Sequence, residues 1–358
     1  MRVPAQATRR GFLPRSAFWQ AASIVTVVLI TACGVQSTAL PSPSPRVPGP
    51  LGDTWAWDGT AWQEAAGAGP SPRFGAALTY DAAHSVFLLF GGQTPNAASD
   101  ETWIWSGVRW MKKSPAHKPA ARRQAAMAYD PHQQVVVLYG GLVQNGAEGR
   151  VASDTWTWDG SDWTQVAATD AGLGKRIGAR MVTAGTEVML FGGSVDPNSD
   201  FYADAWTWHG GSSWVRIDRN PTPEGRNNAA VAWDTADSSL FVYGGSGLNP
   251  EAGGGASGRP LADAWSLKDS TWNRIVGSGP PALAQASGVW DRESRRMLVM
   301  FGMSGTTCPS ATNAVWAWDG ANWSRLPDSP VPGRWGAAVA QDESGKGLVF
   351  GGSDEPGC

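Results

Sequence analysis

The chain is poor in charge, in cysteine and in histidine, and it has no apolar run long enough to span a membrane as a helix. Charged residues make up only 16% of its 358 residues, yet its 21 tryptophans argue against disorder, which goes with high charge and few aromatics. No run of Lys and Arg follows the first residues, which argues against binding to nucleic acid. Its 45 Gly and 25 Pro disfavour a helical bundle. The composition predicts a β-rich, loop-rich globular protein.

Residues 1–32 have the features of an export signal. The first 20 residues contain arginines and no acidic residue, and a short apolar stretch follows at 21–32. Ile30-Thr31-Ala32-Cys33 resembles the bacterial lipobox, whose cysteine is lipidated and becomes the first mature residue, and residues 8–13 resemble the twin-arginine export motif. The alternative is an ordinary signal in which the Arg pair and Cys33 occur by chance. We expect an extracytoplasmic protein anchored to the bacterial cell membrane by lipidated Cys33.

A repeated pattern fills residues 51–358, which follow a Pro- and Ser-rich linker at 33–50. One unit has Trp-x-Trp, a tight turn and a third Trp, and it recurs about every 50 residues, the size of a propeller blade. The other begins with Arg and ends in an apolar run closed by Gly-Gly. The first unit starts at Trp55, Trp103, Trp156, Trp206, Trp265 and Trp316. The second closes at Gly91-Gly92, Gly140-Gly141, Gly192-Gly193, Gly244-Gly245, Gly302-Met303 and Gly351-Gly352.

Each unit predicts two antiparallel strands, and two units make a four-stranded blade. The domain starts with a Trp unit and ends with a Gly-Gly unit. Five blades form in sequence, and the two leftover pairs join into a sixth, which closes the ring with strands from both ends. The sequence therefore predicts an all-β fold, a six-bladed β-propeller.

The Gly-Gly pairs and the spaced tryptophans resemble the kelch-repeat family, including the kelch propeller within galactose oxidase. The resemblance covers nearly all of the expected mature chain. It implies a kelch-type propeller, a fold that serves enzymes, adaptors and glycan or protein binders. Gly302-Met303, and Leu267 in place of a Trp, depart from the pattern and leave the local geometry of the fifth blade open.

Repetition turns two motif positions into rings of charged residues. The basic ring is Arg73, Arg122, Arg176, Arg226 and Arg334, with Leu283 in the sixth place. The acidic ring is Asp53, Glu101, Asp154, Asp204 and Asp263, with Ala314 in the sixth place. The two exceptions share one predicted blade, which indicates an Arg–carboxylate pair in each of the other five. The resemblance to kelch adaptors implies the alternative, an Arg-lined central mouth for an acidic ligand.

Other features leave two interpretations each. Cys308 and Cys358 follow equivalent strands of adjacent blades, so they form a disulfide or remain two free thiols. The residues after each Gly-Gly approach the ligand in kelch pockets; the expected set is Gln93, Leu142, Ser194, Ser246, Ser304 and Ser353. The long loop 246–262 carries specificity or is a solvated insertion. The tryptophans follow the repeat, which favours packing between blades over stacking on sugars.

The expected function is a non-catalytic module, a monomer, that binds a protein or a glycan. The four histidines lack metal-ligand spacing, and no Tyr lies near a Cys in sequence, so we expect neither a metal nor a cofactor. The alternative is a carbohydrate-active enzyme, a galactose oxidase-like oxidase or a sialic-acid epimerase-like enzyme, because a pair of acids from two blades leaves no sequence signature. A third interpretation is a structural envelope protein.

Overall fold

The computed structural model describes residues 47–145, 148–167, 172–196, 200–248, 258–305 and 308–356. The predicted signal peptide, Cys33, most of the linker, Cys358 and the centre of the loop 246–262 lie outside these ranges. The described residues form strands joined by turns and loops, and they contain no helix. None of their segments is therefore a candidate transmembrane helix.

Most strands are four or five residues long, and each apolar run before a Gly-Gly pair is one of them. The first strands are β1 (Thr54–Trp57), β2 (Trp62–Glu64), β3 (Ala77–Asp81), β4 (Val86–Phe90), β5 (Thr102–Trp105), β6 (Trp110–Lys113), β7 (Arg122–Arg123), β8 (Ala126–Asp130), β9 (Val135–Tyr139), β10 (Leu142–Asn145) and β11 (Glu148–Val151). Next come β12 (Thr155–Trp158), β13 (Trp163–Val166), β14 (Arg180–Ala184), β15 (Glu187–Phe191), β16 (Ala205–His209), β17 (Ser213–Arg216), β18 (Arg226–Asn227), β19 (Ala230–Asp234), β20 (Ser239–Tyr243), β21 (Ser246–Gly247) and β22 (Arg259–Pro260). The last are β23 (Ala264–Lys268), β24 (Thr271–Ile275), β25 (Leu283–Ala284), β26 (Ser287–Asp291), β27 (Arg296–Met300), β28 (Met303–Ser304), β29 (Ser310–Ala311), β30 (Val315–Trp318), β31 (Trp323–Leu326), β32 (Ala338–Gln341) and β33 (Gly347–Phe350).

Twenty-four of these strands form four-stranded antiparallel sheets, which we label A to F. Sheet A is β3-β4-β5-β6, sheet B is β8-β9-β12-β13, sheet C is β14-β15-β16-β17, sheet D is β19-β20-β23-β24, sheet E is β26-β27-β30-β31 and sheet F is β32-β33-β1-β2. The first strand named in each sheet is called its inner strand. The remaining short strands form three small sheets beside the Gly-Gly turns: β7-β10-β11, β18-β21-β22 and β25-β28-β29.

Sheet F joins the two ends of the described chain. Its strand β1 pairs with β33, so that Thr54 lies opposite Phe350 and Trp57 opposite Gly347. This pairing buries Leu348, Val349 and Phe350 between neighbouring strands. The Trp unit near the start and the Gly-Gly unit near the end therefore complete one sheet.

The inner strands contact one another in series. β3 contacts β8, β8 contacts β14, β14 contacts β19, β19 contacts β26, β26 contacts β32, and β32 contacts β3. Backbone hydrogen bonds follow the same order, because the amide of each second glycine donates to the carbonyl of the residue that opens the next sheet. Examples are Gly92 N to Arg122 O and Gly352 N to Arg73 O, both 2.9 Å. The arrangement is consistent with a propeller-like fold.

The tryptophans pack between sheets, as the repeat indicated. The third Trp of a unit contacts an aromatic ring on the second strand of the preceding sheet: Trp110 on Phe350, Trp163 on Phe90, Trp214 on Tyr139, Trp272 on Phe191 and Trp323 on Tyr243, with ring centroids 5.1–5.5 Å apart. Three of them also donate their indole N–H to a buried threonine of that preceding sheet. These contacts supply large apolar burial at every such interface.

The fifth repeat is aligned one residue earlier than the sequence pattern suggested. Phe301 has φ +63° and Gly302 has φ +97°, the angles that the two glycines of the other Gly-Gly pairs adopt. Met303, rather than Ser304, therefore pairs with Ala284. The equivalent pair beside sheet A is the bridge between Gln93 and Phe74. The prediction of Gly302-Met303 as the fifth pair was wrong because, in this repeat, the first position adopts left-handed backbone without a glycine. Burial of the Phe301 ring offsets that strain.

Candidate functional site

All five arginines of the basic ring are buried, and each forms an ion pair with the acid of its own sheet. The pairs are Arg73–Glu101 (2.7 Å), Arg122–Asp154 (2.6 Å), Arg176–Asp204 (2.5 Å), Arg226–Asp263 (2.7 Å) and Arg334–Asp53 (2.7 Å). The arginine side chains are at most 1% exposed, whereas the acids keep 11–27% of theirs. The guanidinium groups are therefore enclosed in the sheets.

Each arginine occupies the same hydrogen-bonding cage, of which Arg122 is typical. Its Nε donates to the carbonyl of Ala120 at 3.0 Å, and its Nη1 donates to the carbonyl of Gly140 at 2.9 Å. Both terminal nitrogens also contact the carboxylate of Asp154, which accepts a further bond from the Trp156 indole at 2.8 Å. The pair thus ties the start of a sheet to its Gly-Gly turn and to its third strand. Such a fully bonded charge pair is suited to a structural role.

Sheet E, the exception, lacks both members of the ion pair. Leu283 takes the arginine position and is buried, and its carbonyl still accepts the Gly245 amide at 2.8 Å. Ala314 takes the acid position in that sheet. An apolar residue therefore replaces the cation exactly where the anion is missing, which leaves no unpaired charge.

The acid partners remain ionised well below neutral pH. Burial by itself would raise the pKa of Asp154, but the hydrogen bonds and charge of Arg122, with the Trp156 bond, outweigh it and hold that pKa below its ordinary value. The pKa values of Asp53, Asp204 and Asp263 are lowered in the same way. Burial would also raise the pKa of Glu101, but hydrogen bonds from Lys112, Arg73 and Trp103 outweigh this effect and lower that pKa to about 2.

These lowered pKa values predict a loss of stability in acid. A carboxylate whose pKa is lower in the folded state contributes its full stabilisation above its unfolded pKa, near 4, and loses it as the pH falls through the folded value. Denaturant unfolding should give a nearly constant free energy from pH 7 to about 5 and a steep decrease between about 4 and 2. A free energy of unfolding that stays constant or rises as the pH falls from about 4 to about 2 would contradict the lowered pKa values of these acids.

A partly exposed strip of side chains lies directly beside the basic ring. Trp335, Phe74 and Arg123 each follow a ring arginine, and they precede the inner strands of the consecutive sheets F, A and B. The rings of Phe74 and Trp335 are tilted with centroids 4.9 Å apart, and the Arg123 guanidinium lies 6.0 Å from the Phe74 centroid. Gln93 orients Arg123 by accepting a bond from its Nη1 at 3.1 Å. We call these four residues the aromatic strip.

The strip is confined to half of the ring. The residues in the same position of the other sheets are buried: Ile177, Asn227 and Ala284. Sequence analysis missed the strip because it treated the residue after each arginine as a spacer. The available signal was the chemistry of that position, where Trp, Phe and Arg stand in three successive repeats.

The inner strands surround a channel of about 350 Å³. At one end the channel is bordered by the turns that follow the inner strands, among them Pro131, Gly185, Thr235 and Arg292. At the other end it is narrowed by a set of residues with left-handed backbone, which we call the plug: Gly75, Gln124, Gly178, Asn228, Gln285 and Gly336. Five backbone hydrogen bonds of 2.7–3.3 Å link successive plug residues. The cavity beside the plug holds only about 10 Å³.

The other predicted residues have simpler surroundings. Cys308 is disulfide-bonded, but Cys358 lies outside the described residues, so their pairing stays a prediction. Only 246–248 and 258–262 of the long loop are described. Two of the four histidines are bound to aspartates, His84 to Asp81 and His117 to Asp162. Within the described ranges no group of three or more His, Cys, Asp or Glu is placed to hold a metal.

No protein-family model matches the chain, and no curated protein matches it either. The kelch resemblance therefore stays a prediction from the residues that carry it.

Proposed function

We propose that the chain is a lipid-anchored, extracytoplasmic six-bladed kelch-type propeller that acts as a non-catalytic module for binding a protein or a glycan. The blade count and ring closure are supported by the four-stranded sheets A to F, by the serial contacts of their inner strands and by the pairing of β1 with β33. The anchor is supported by the lipobox-like residues that end at Cys33.

The aromatic strip is the observation that carries the binding proposal. Its two tilted rings offer faces on which a sugar ring or a planar peptide group stacks, and Arg123 adds a donor fork for a carboxylate or hydroxyl. Burial lowers the pKa of Arg123, because its guanidinium is partly removed from water. The strip rests on backbone bridges, Phe74 with Gln93 and Trp335 with Ser353. Such rigid support reduces the entropy lost on binding.

The ring arginines are poor candidates for the ligand contact. Each is enclosed and already has its hydrogen-bond donors in use, so engaging a ligand would require breaking an ion pair. That cost favours the strip, where the side chains are accessible without rearrangement.

The test is binding of the purified protein to a panel of glycans and acidic peptides. For any hit, Trp335→Ala should lower the affinity about 30-fold and Arg123→Ala about 10-fold, because aromatic and arginine anchors dominate such interfaces. Arg109→Ala is the matched control, since Arg109 is exposed in the β5–β6 turn away from the strip. Thermal unfolding verifies that the variants fold. Hits whose affinity is unchanged in both strip variants would refute this location, and a panel without hits would argue against the proposed function.

A further inference from the structure

Arg180 is a cation inside the channel without an acidic partner. It is the first residue of the inner strand of sheet C, where it pairs with Phe191. The residues in the same register of the other five inner strands are all small: Ala77, Ala126, Ala230, Ser287 and Ala338. An arginine in this position is thus not required by the repeat.

The guanidinium of Arg180 is only partly bonded. Its Nε donates to the carbonyl of Ala229 in sheet D at 3.0 Å, and among the described residues Nη1 and Nη2 have no hydrogen-bond or ion-pair partner. Arg180 lines both the main channel and the small cavity beside the plug, so the residue lies where the channel narrows. The residue is partly buried, and desolvation of its guanidinium lowers the pKa of Arg180 to about 10. It is nevertheless a cation at neutral pH.

The surrounding charges do not neutralise it. The acids that border the channel, Asp342 and Glu343, follow the inner strand of sheet F, at the end away from the plug. An inner strand of five residues separates the two ends by roughly 15 Å. A partly buried cation without a counter-charge is unfavourable, and the five ring arginines of this chain all have one.

We propose that the channel is a binding site for a small oxyanion, a carboxylate or a phosphate group, held by the terminal nitrogens of Arg180. The planar fork of an arginine matches two oxygens of such a group. A volume of about 350 Å³ is within the range of small-ligand sites. Because the plug narrows one end, the ligand enters between the turns near Arg292. This site is separate from the aromatic strip and does not depend on the proposed function.

The test is thermal unfolding of the full chain at constant ionic strength set with chloride, with glucuronate, glucose and inorganic phosphate as probes. Glucose matches glucuronate in size but lacks the carboxylate. We expect glucuronate or phosphate to raise Tm saturably, by about 5 °C at a hundred times its dissociation constant, and glucose to have no effect. In Arg180→Ala, which installs the residue natural to four other sheets, this rise should vanish.

Two further variants keep the result interpretable. Arg180→Gln retains most of the side-chain length and should also lose the rise, which covers the case in which the alanine variant fails to fold. Arg109→Ala removes an exposed charge in the β5–β6 turn, outside the channel, and should keep the rise. The proposal is overturned if neither anion raises Tm above the chloride reference, or if the rise persists in both Arg180 variants.

Discussion

Arg122→Leu should lower the free energy of unfolding by about 3 kcal/mol, because it leaves the largely buried carboxylate of Asp154 without its cation. The substitution also removes the donors that hold the Ala120 and Gly140 carbonyls. Denaturant unfolding at pH 7 measures the loss directly. It is one of the two largest effects of a single substitution that we expect.

The chain contains its own control for this experiment. Sheet E has Leu283 and Ala314 where sheet B has Arg122 and Asp154, and it forms the same strands. The double variant Arg122→Leu/Asp154→Ala should therefore recover most of the stability, since an apolar pair of suitable shape often replaces a buried ion pair at little cost. If the double variant were as unstable as the single one, the pair would be needed for its specific bonds rather than for charge balance.

Gly140→Ala should cost about 3 kcal/mol, from left-handed backbone strain and from a steric clash between sheets. Gly140 has φ +66°, and a Cβ there would lie 2.5 Å from the carbonyl oxygen of Arg176 in sheet C. That oxygen accepts the Gly141 amide at 2.8 Å, so relief of the clash strains the bond that joins the two sheets.

Gly185→Ala is the matched control for the clash. Gly185 has the same φ of +66°, but a Cβ there would meet no atom within 4 Å. Its substitution should cost only the backbone strain, about 1–2 kcal/mol. Equal losses in the two variants would mean that the approach of neighbouring sheets at the Gly-Gly turn does not limit stability.

The repeat made much of this architecture predictable, because a position that recurs in every unit must face the same neighbours each time. The coincidence of Leu283 with Ala314 favoured an Arg–carboxylate pair in each of the other five sheets over an arginine-lined mouth, and the structure contains those five pairs. The same reasoning failed at Phe301, where the pattern was aligned on residue type. The backbone conformation is what recurs there, and it tolerates a phenylalanine whose ring is buried.

Exposure could not be predicted from the repeat. Whether the residue after a ring arginine is covered depends on neighbouring loops, so Ile177 and Trp335 occupy equivalent positions with different accessibility. Arg180 was missed for a related reason. An alternating strand pattern does not distinguish a side chain that packs between sheets from one that borders the channel. The available signal was the residue four positions after each ring residue, which is small in the other five repeats.

The most direct test of the central claim, that ligands bind at the aromatic strip while the ring arginines hold the fold together, is one affinity comparison. A ligand found in the glycan and peptide panel is titrated into wild type, Trp335→Ala and Arg122→Leu/Asp154→Ala. We predict that the strip variant loses about 30-fold in affinity and that the pair-replaced variant binds like wild type. Unchanged binding to Trp335→Ala, together with lost binding to a folded pair-replaced variant, would contradict the account and assign the ligand to the arginine ring.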